Sequence, residues 1–388
     1  MFQIKPLAFA VLSMVATHAL AESNVADVSQ TGENNLFNGI QSGQSGRIIA
    51  SQDGAANNGY IYQAGEESDT EVTQQGISNN ASVYSADGLA NTTFVEQGGD
   101  TNTATVNQYT NTTSQIDVVQ EGSANSVDTV QNNTLSSHQN VEQRGNNNTL
   151  IASQNADISR QNVTQLGNGN ATVIYQNDSN QVEAEIYQEG QGNSAYIDQY
   201  ATVLSDASIY QTGYANTTNA YQHNGDNNSV VANQNGGFNV SRVDQDGSNN
   251  QFRTTQTGDR NLISGQNGGV YIGSTKQAGN LNLLDATQTG SGNELFFDQG
   301  GNLNALSVIQ TGDYNELVGS STGNDDIVSA IQDGFRQIAQ INQNNDLNMA
   351  TVSQTGSFNT VNIAQTTANN IVNVVQNGTN NSATITQH

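Results

Sequence analysis

Asn359-Thr-Val-Asn-Ile-Ala-Gln365 states the fold of this chain in seven residues. With Asn359 as position zero, Val361 and Ile363 fall at +2 and +4, and Gln365 falls at +6. Side chains of an extended strand alternate between two faces, so these four share one face. The aliphatics turn that face inward and take the Asn and the Gln with them. The phrase recurs as Asn304-Ala-Leu-Ser-Val-Ile-Gln310 and Asn381-Ser-Ala-Thr-Ile-Thr-Gln387.

Working outward, the closing Gln returns every 11 or 12 residues from Gln30 to Gln387, with one interval of 10. Counted this way, 33 positions fit, and all but Ser85 and Ser321 are Gln. A repeat this short, filling the chain, defines a solenoid or a fibre subunit rather than a globular enzyme. Gly commonly stands two residues after the Gln, at Gly32, Gly54, Gly122, Gly145, Gly167, Gly190, Gly213, Gly236, Gly356 and Gly378. A tight reversal needs positive φ there, which Gly adopts cheaply. Gln97, Gln120, Gln143, Gln165, Gln188, Gln211 and Gln234 each begin such a turn. The alternate anchors Gln108, Gln131, Gln154, Gln176, Gln199 and Gln222 do not. The true period is therefore 22–23 residues: strand, Gly turn, strand, second turn. The expected fold is all-β, a parallel two-sheet β-solenoid of about sixteen strand-turn-strand rungs that forms amyloid. At ~4.8 Å per rung it would extend roughly 75 Å, with sheets ~10 Å apart.

Buried amides cost energy unless paired. Identical amides stacked in register pair with one another, each carbonyl accepting from the neighbouring rung. The expected ladder includes Gln30, Asn57, Gln63, Asn102, Gln108, Asn170, Gln176, Asn193, Gln199, Asn304, Gln310, Asn359, Gln365, Asn381 and Gln387. The repeat begins at Asn24 and reaches Gln387, which leaves no polar cap at either end and predicts end-to-end growth.

Composition narrows the function. Hydrophobic residues make up 34% and the formal net charge is −26. That pairing ordinarily means disorder, but Pro occurs once and the alternation is strict, which is the composition of cross-β material. Asp and Glu outnumber Lys and Arg 35 to 9, so no basic surface exists for nucleic acid. The chain has no Cys, which excludes disulfides and thiolate metal sites. Residues 1–21 read as a secretory signal peptide: Lys5, the apolar run Leu7 to Val15, then Ala19-Leu-Ala21. Residues 22–388 form the repeat region, and no stretch there is apolar enough to span a bilayer.

The spacing in Gln165-Leu-Gly-Asn-Gly-Asn-Ala-Thr-Val-Ile-Tyr-Gln176 and Gln376-Asn-Gly-Thr-Asn-Asn-Ser-Ala-Thr-Ile-Thr-Gln387 resembles the curlin repeat. The resemblance covers essentially the whole mature chain. It implies a secreted subunit of curli, the cell-surface amyloid fibres of Gram-negative bacteria that support biofilm matrix, adhesion and cell aggregation. The implied partners are further copies of the chain, a minor nucleator subunit and an outer-membrane export channel. The acidic, regular repeat leans toward the major subunit, with the nucleator subunit as the alternative, although the rungs are several times more numerous than in the usual curlin. No catalytic, cofactor-binding or metal-binding residue is expected.

Two rival readings fit the sequence less well. A capped monomeric solenoid adhesin lacks capping residues. A polysaccharide-acting β-helix enzyme lacks clustered acids, since Asp325-Asp326 and Glu66-Glu67 are the adjacent Asp and Glu pairs. His138, His223 and His388 lie too far apart in sequence for a zinc motif. Asp53, Asp246 and Asp333, each beside a Gln anchor, are expected to slow premature assembly. Outward Tyr62 and Tyr84 should stack on adjacent rungs, as should Tyr187 and Tyr210. The short interval between Gln256 and Gln277, with Lys276 and four glycines nearby, predicts a bulge or bent rung.

Overall fold

The computed structural model describes residues 23–267, 270–273 and 275–388. The proposed signal peptide lies outside the described residues. The described residues form 34 strands and no helix. They divide into two compact units, one ending at Gln181 and one spanning Val182–His388. Each unit is a β-solenoid built from two parallel sheets. Its strands alternate between the sheets, so residues about 22 apart pair in register. The first unit contains seven strand-turn-strand rungs and the second nine, giving the sixteen the sequence period implies.

The register follows the repeat residue by residue. His138–Asn146 pairs with Gln115–Ser123 on one side and Arg160–Asn168 on the other. Gln143 thus lies between Gln120 and Gln165, and Gly145 between Gly122 and Gly167. Inward positions form continuous columns: Val95, Val118, Val141 and Val163 stack and are at most 2% exposed. Each buried Val contributes ~1.5–2 kcal/mol at most. A one-residue slip would turn such a column outward, and this fixes the register.

The phase break is larger than the expected bulge or bent rung, with a register irregularity between Gly265 and Asn267. Leu262–Ser264 pairs with Glu294–Phe296, and Gln277-Ala278 pairs with Gln299-Gly300. Between them the chain leaves the sheet as an antiparallel excursion, Leu262–Asn267 against Val270–Gly273. Gln245 consequently stacks on Gln277, 32 residues away. An insertion of about ten residues nearly equals one strand-turn interval, so it imitated an anchor at Gln266. Removing that false anchor leaves 32 anchors, two for each of the sixteen rungs.

The outward Tyr expectation holds for one pair. The Tyr62 and Tyr84 rings stack at 4.6 Å, 9° from parallel. Tyr187 and Tyr210 occupy paired positions, but their hydroxyls donate to Glu189 at 3.0 Å and Glu185 at 2.6 Å.

Candidate functional site

The candidate site is the set of internal amide columns. In the sheet that precedes the Gly turn, each Gln Nε2 donates to the Gln Oε1 of the following rung. In the first unit the chain of bonds runs Gln30, Gln52, Gln74, Gln97, Gln120, Gln143, Gln165, with distances of 2.6–2.9 Å. In the second it links Gln188 through Gln211, Gln234, Gln256, Gln288, Gln310, Gln332 and Gln354 to Gln376 at 2.7–3.0 Å. In the rungs between, the second N–H serves a backbone carbonyl, as Gln120 does for Thr103 at 3.1 Å and Gln310 for Glu294 at 2.9 Å. Both donors of a buried amide are thereby satisfied.

The opposite sheet carries a second Gln column, which the two Ser anchors interrupt. Gln108, Gln131, Gln154 and Gln176 form one run at 2.9–3.0 Å. Gln199, Gln222, Gln245, Gln277 and Gln299 form another at 2.8–3.0 Å. Gln343, Gln365 and Gln387 close the column at 3.0 Å. At Ser321 the shorter side chain still donates to Gln343 Oε1 at 2.9 Å. At Ser85 the column breaks. Gln63 is buried but turns its amide onto Ser68 O, and its Oε1 has no partner. Gln41 Nε2 is buried and unpartnered as well. Gln63 therefore stands outside the ladder the sequence placed it in, because its paired anchor Ser85 offers no amide oxygen to accept its Nε2.

The Asn columns include the expected amide-to-amide bonds, as from Asn79 Nδ2 to Asn57 Oδ1 at 3.2 Å and from Asn381 Nδ2 to Asn359 Oδ1 at 3.0 Å, and add bonds to the backbone of the turns. Asn102 Nδ2 donates to Gly98 O in its own turn and to Gly122 O in the next rung, both at 3.0 Å. Its Oδ1 accepts the backbone N–H of Asn125 at 3.0 Å. Asn57 clamps Gly76 O at 2.9 Å, Asn193 clamps Gly213 O at 3.2 Å, and Asn359 clamps Gly378 O at 3.0 Å. Asn304 does the same across the second turn, holding Gly323 O at 2.9 Å. Asn170 N and Asn381 N donate to Asn148 Oδ1 and Asn359 Oδ1 at 3.0 and 3.1 Å. Each Asn thus ties one turn to the next through the backbone. Gln30, Asn381 and Gln387 are half-buried, and the other predicted ladder residues are buried.

The turn glycines face a close approach as well as a dihedral demand. Gly145 has φ +120°, and a Cβ there would sit 1.9 Å from Gly167 O. Gly32, Gly54, Gly122, Gly167, Gly190, Gly213, Gly236, Gly356 and Gly378 share φ between +106° and +123°. Two residues later each turn has a second left-handed position, filled by Asn34, Thr101, Ala124 or Phe238. The sequence reading missed that position because turn-residue preferences do not mark Thr or Phe.

It also missed three inward polar groups. Gln139 and Gln161 make a further amide bond at 2.9 Å, and each stands four residues before an anchor at the same 22-residue spacing. Gln337 takes an Asn position, reaching Asp333 O at 2.6 Å and Gly356 O at 3.1 Å with its Oε1 unpartnered. Asp326 takes another and is 0% exposed.

Asp326 apart, the acidic, basic and His side chains of the described residues are half-buried or exposed. Asp53, Asp246 and Asp333 are exposed. His223 Nε2 lies 3.8 Å from Asp198 and Nδ1 4.0 Å from Asp244. Its hydrogen bond to Asp198 leads in raising its pKa above the usual histidine value. His138 also lies 3.8 Å from a carboxylate, Asp117, but burial dominates and lowers its pKa. Among the described residues no group of three or more His, Asp or Glu is placed to hold a metal ion, and no helix is long and apolar enough to cross a membrane.

Residues 225–258 match the curlin associated repeat. The match spans the strands Ser229–Gly237 and Val240–Asp246 and nearly all of Gln251–Asp259, about one and a half rungs. The chain therefore carries a curlin repeat within a β-solenoid. No curated protein matches it.

Proposed function

We propose that this chain is the structural subunit of an extracellular, curli-like amyloid fibre that supports biofilm matrix, adhesion and cell aggregation. The observation that carries the reading is the in-register Gln column, in which every rung presents its neighbour with the same donors and acceptors. A rung from another copy meets the same bonding pattern as a rung of the same chain, so the fold is its own template. The curlin associated repeat at residues 225–258 supports the same class. On this reading the chain is secreted and has no catalytic centre. Its partners are copies of itself, a nucleator subunit and an outer-membrane export channel, and it serves as the major subunit.

The test is to dilute the mature chain from denaturant and follow thioflavin fluorescence with and without preformed seeds, then record fibre diffraction. Seeded growth with reflections near ~4.7 and ~10 Å is the expected result. A lasting soluble monomer with β-type circular dichroism would overturn it in favour of a monomeric adhesin.

A further inference from the structure

In the column that closes the second turn, Asn282, Asn304, Asp326 and Asn348 occupy equivalent places in successive rungs. One half of the pattern is intact at Asp326. Its backbone N–H donates to Asn304 Oδ1 at 3.0 Å, and its own Oδ1 accepts Asn348 N–H at 2.9 Å. The other half is not. Asn304 Nδ2 donates to Gly300 O at 3.0 Å and Gly323 O at 2.9 Å. Asn282 Nδ2 likewise donates to Gly301 O at 2.9 Å. Where those amides carry N–H donors, Asp326 carries Oδ2, buried and without a partner. A second carboxylate oxygen stands where the neighbouring rungs place a donor, and it has nothing to accept.

We propose that Asp326 is a proton-binding site within the solenoid: its protonated carboxyl replaces the Asn amide as donor and closes the rung, and its ionised form opens it. Protonated Asp has nearly the shape of Asn and supplies one O–H donor. The charged groups around it are Asp325 and Asp346, both acidic. Burial pushes its pKa up to about 6, with repulsion from Asp346 and Asp325 adding to the rise and hydrogen bonds from Asn348 opposing it. An acid whose folded pKa exceeds its unfolded value of ~3.9 binds its proton more tightly when folded. The stability of this rung is therefore full below about pH 4 and is lost as pH rises through about 6. The neighbouring rung shows a related departure: Asn348 Nδ2 turns back to Asn345 O at 2.7 Å in its own turn, and Asn345 has φ +83°.

The experiment is hydrogen exchange on the full mature chain between pH 4 and 7.5, corrected for intrinsic rates, reading peptides that cover 322–349. Protection there should fall by up to about a hundredfold across the window, the equivalent of a two-unit pKa rise. Asp326→Asn should hold high protection throughout. Asp325→Asn, which removes the same charge from the adjacent residue, should still show the fall. Peptides from Asp69–Asp100 provide an internal reference that stays flat. A flat wild-type profile, or an Asp325→Asn profile as flat as that of Asp326→Asn, would overturn the proposal. Recovery of full wild-type protection at pH 7.5 on adding Ca²⁺ would also overturn it, by making the slot a cation site. The outcome does not depend on fibre formation, because the bonds measured lie within one chain.

Discussion

At the level of single residues, the Gln columns and the turn glycines stabilise the rungs in ways that substitution can separate. Gln120 is fully buried and bonds Gln97 on one side and Gln143 on the other. Gln120→Ala leaves two buried amides short of a partner and opens a cavity, so it should cost about 3 kcal/mol in denaturant unfolding. Ser85→Gln should do the reverse: its Oε1 accepts Gln63 Nε2, Gln63 Oε1 can then accept Gln41 Nε2, and stability rises by about 1 kcal/mol. Gly145→Ala drives a Cβ into Gly167 O and should cost about 3 kcal/mol or more. Gly169→Ala, at φ +66° with no atom within 4 Å of its Cβ, should cost no more than about 1 kcal/mol. If both glycines respond equally, left-handed strain alone governs the turn and the close approach is irrelevant. Replacing Asp53, Asp246 and Asp333 together with Asn should shorten the fibrillation lag, and an unchanged lag would remove their assigned role.

At the level of strands and turns, environment decides behaviour that composition cannot. His138 and His223 both have an Asp nearby, yet burial lowers the first pKa while Asp198 raises the second. Nuclear magnetic resonance titration should therefore show His138 protonating at lower pH than His223. His223 stabilises the fold below ~6.5 and loses that effect as pH rises through its folded pKa; His138 destabilises as pH falls from ~6.5 through its own. The excursion after Ser264 is a separable element. Excising 265–274 restores the 22-residue spacing of Gln245 to Gln277 and should leave the unfolding free energy within about 1 kcal/mol of the parent. The strands, their inward faces and the Gly turns were legible in the sequence because period-two alternation and Gly spacing are local signals. The insertion was not, because its length imitates one repeat. Nor was the behaviour of Gln63, which depends on a Ser that meets it only through pairing in space. The Asn residues were placed on the correct face, but their backbone-clamping role needed the coordinates of the next turn.

At the level of the whole molecule, each rung touches only its neighbours, so stability grows rung by rung rather than from one central core. Removing one complete rung, residues 283–304, joins Asn282 to Ala305, which occupies the same register as Leu283. That variant should keep its β-type circular dichroism per residue. A deletion of half that length should lose it, because every later strand would be sent to the opposite sheet. In the column that precedes the Gly turn the Gln amides also point one way: within each unit Nε2 donates to the rung of higher number. Amide dipoles aligned in this manner add rather than cancel. Each unit thus has an electrical sense along its axis, positive toward its higher-numbered rungs, that salt and pH leave in place when the ionised side chains are screened or neutralised.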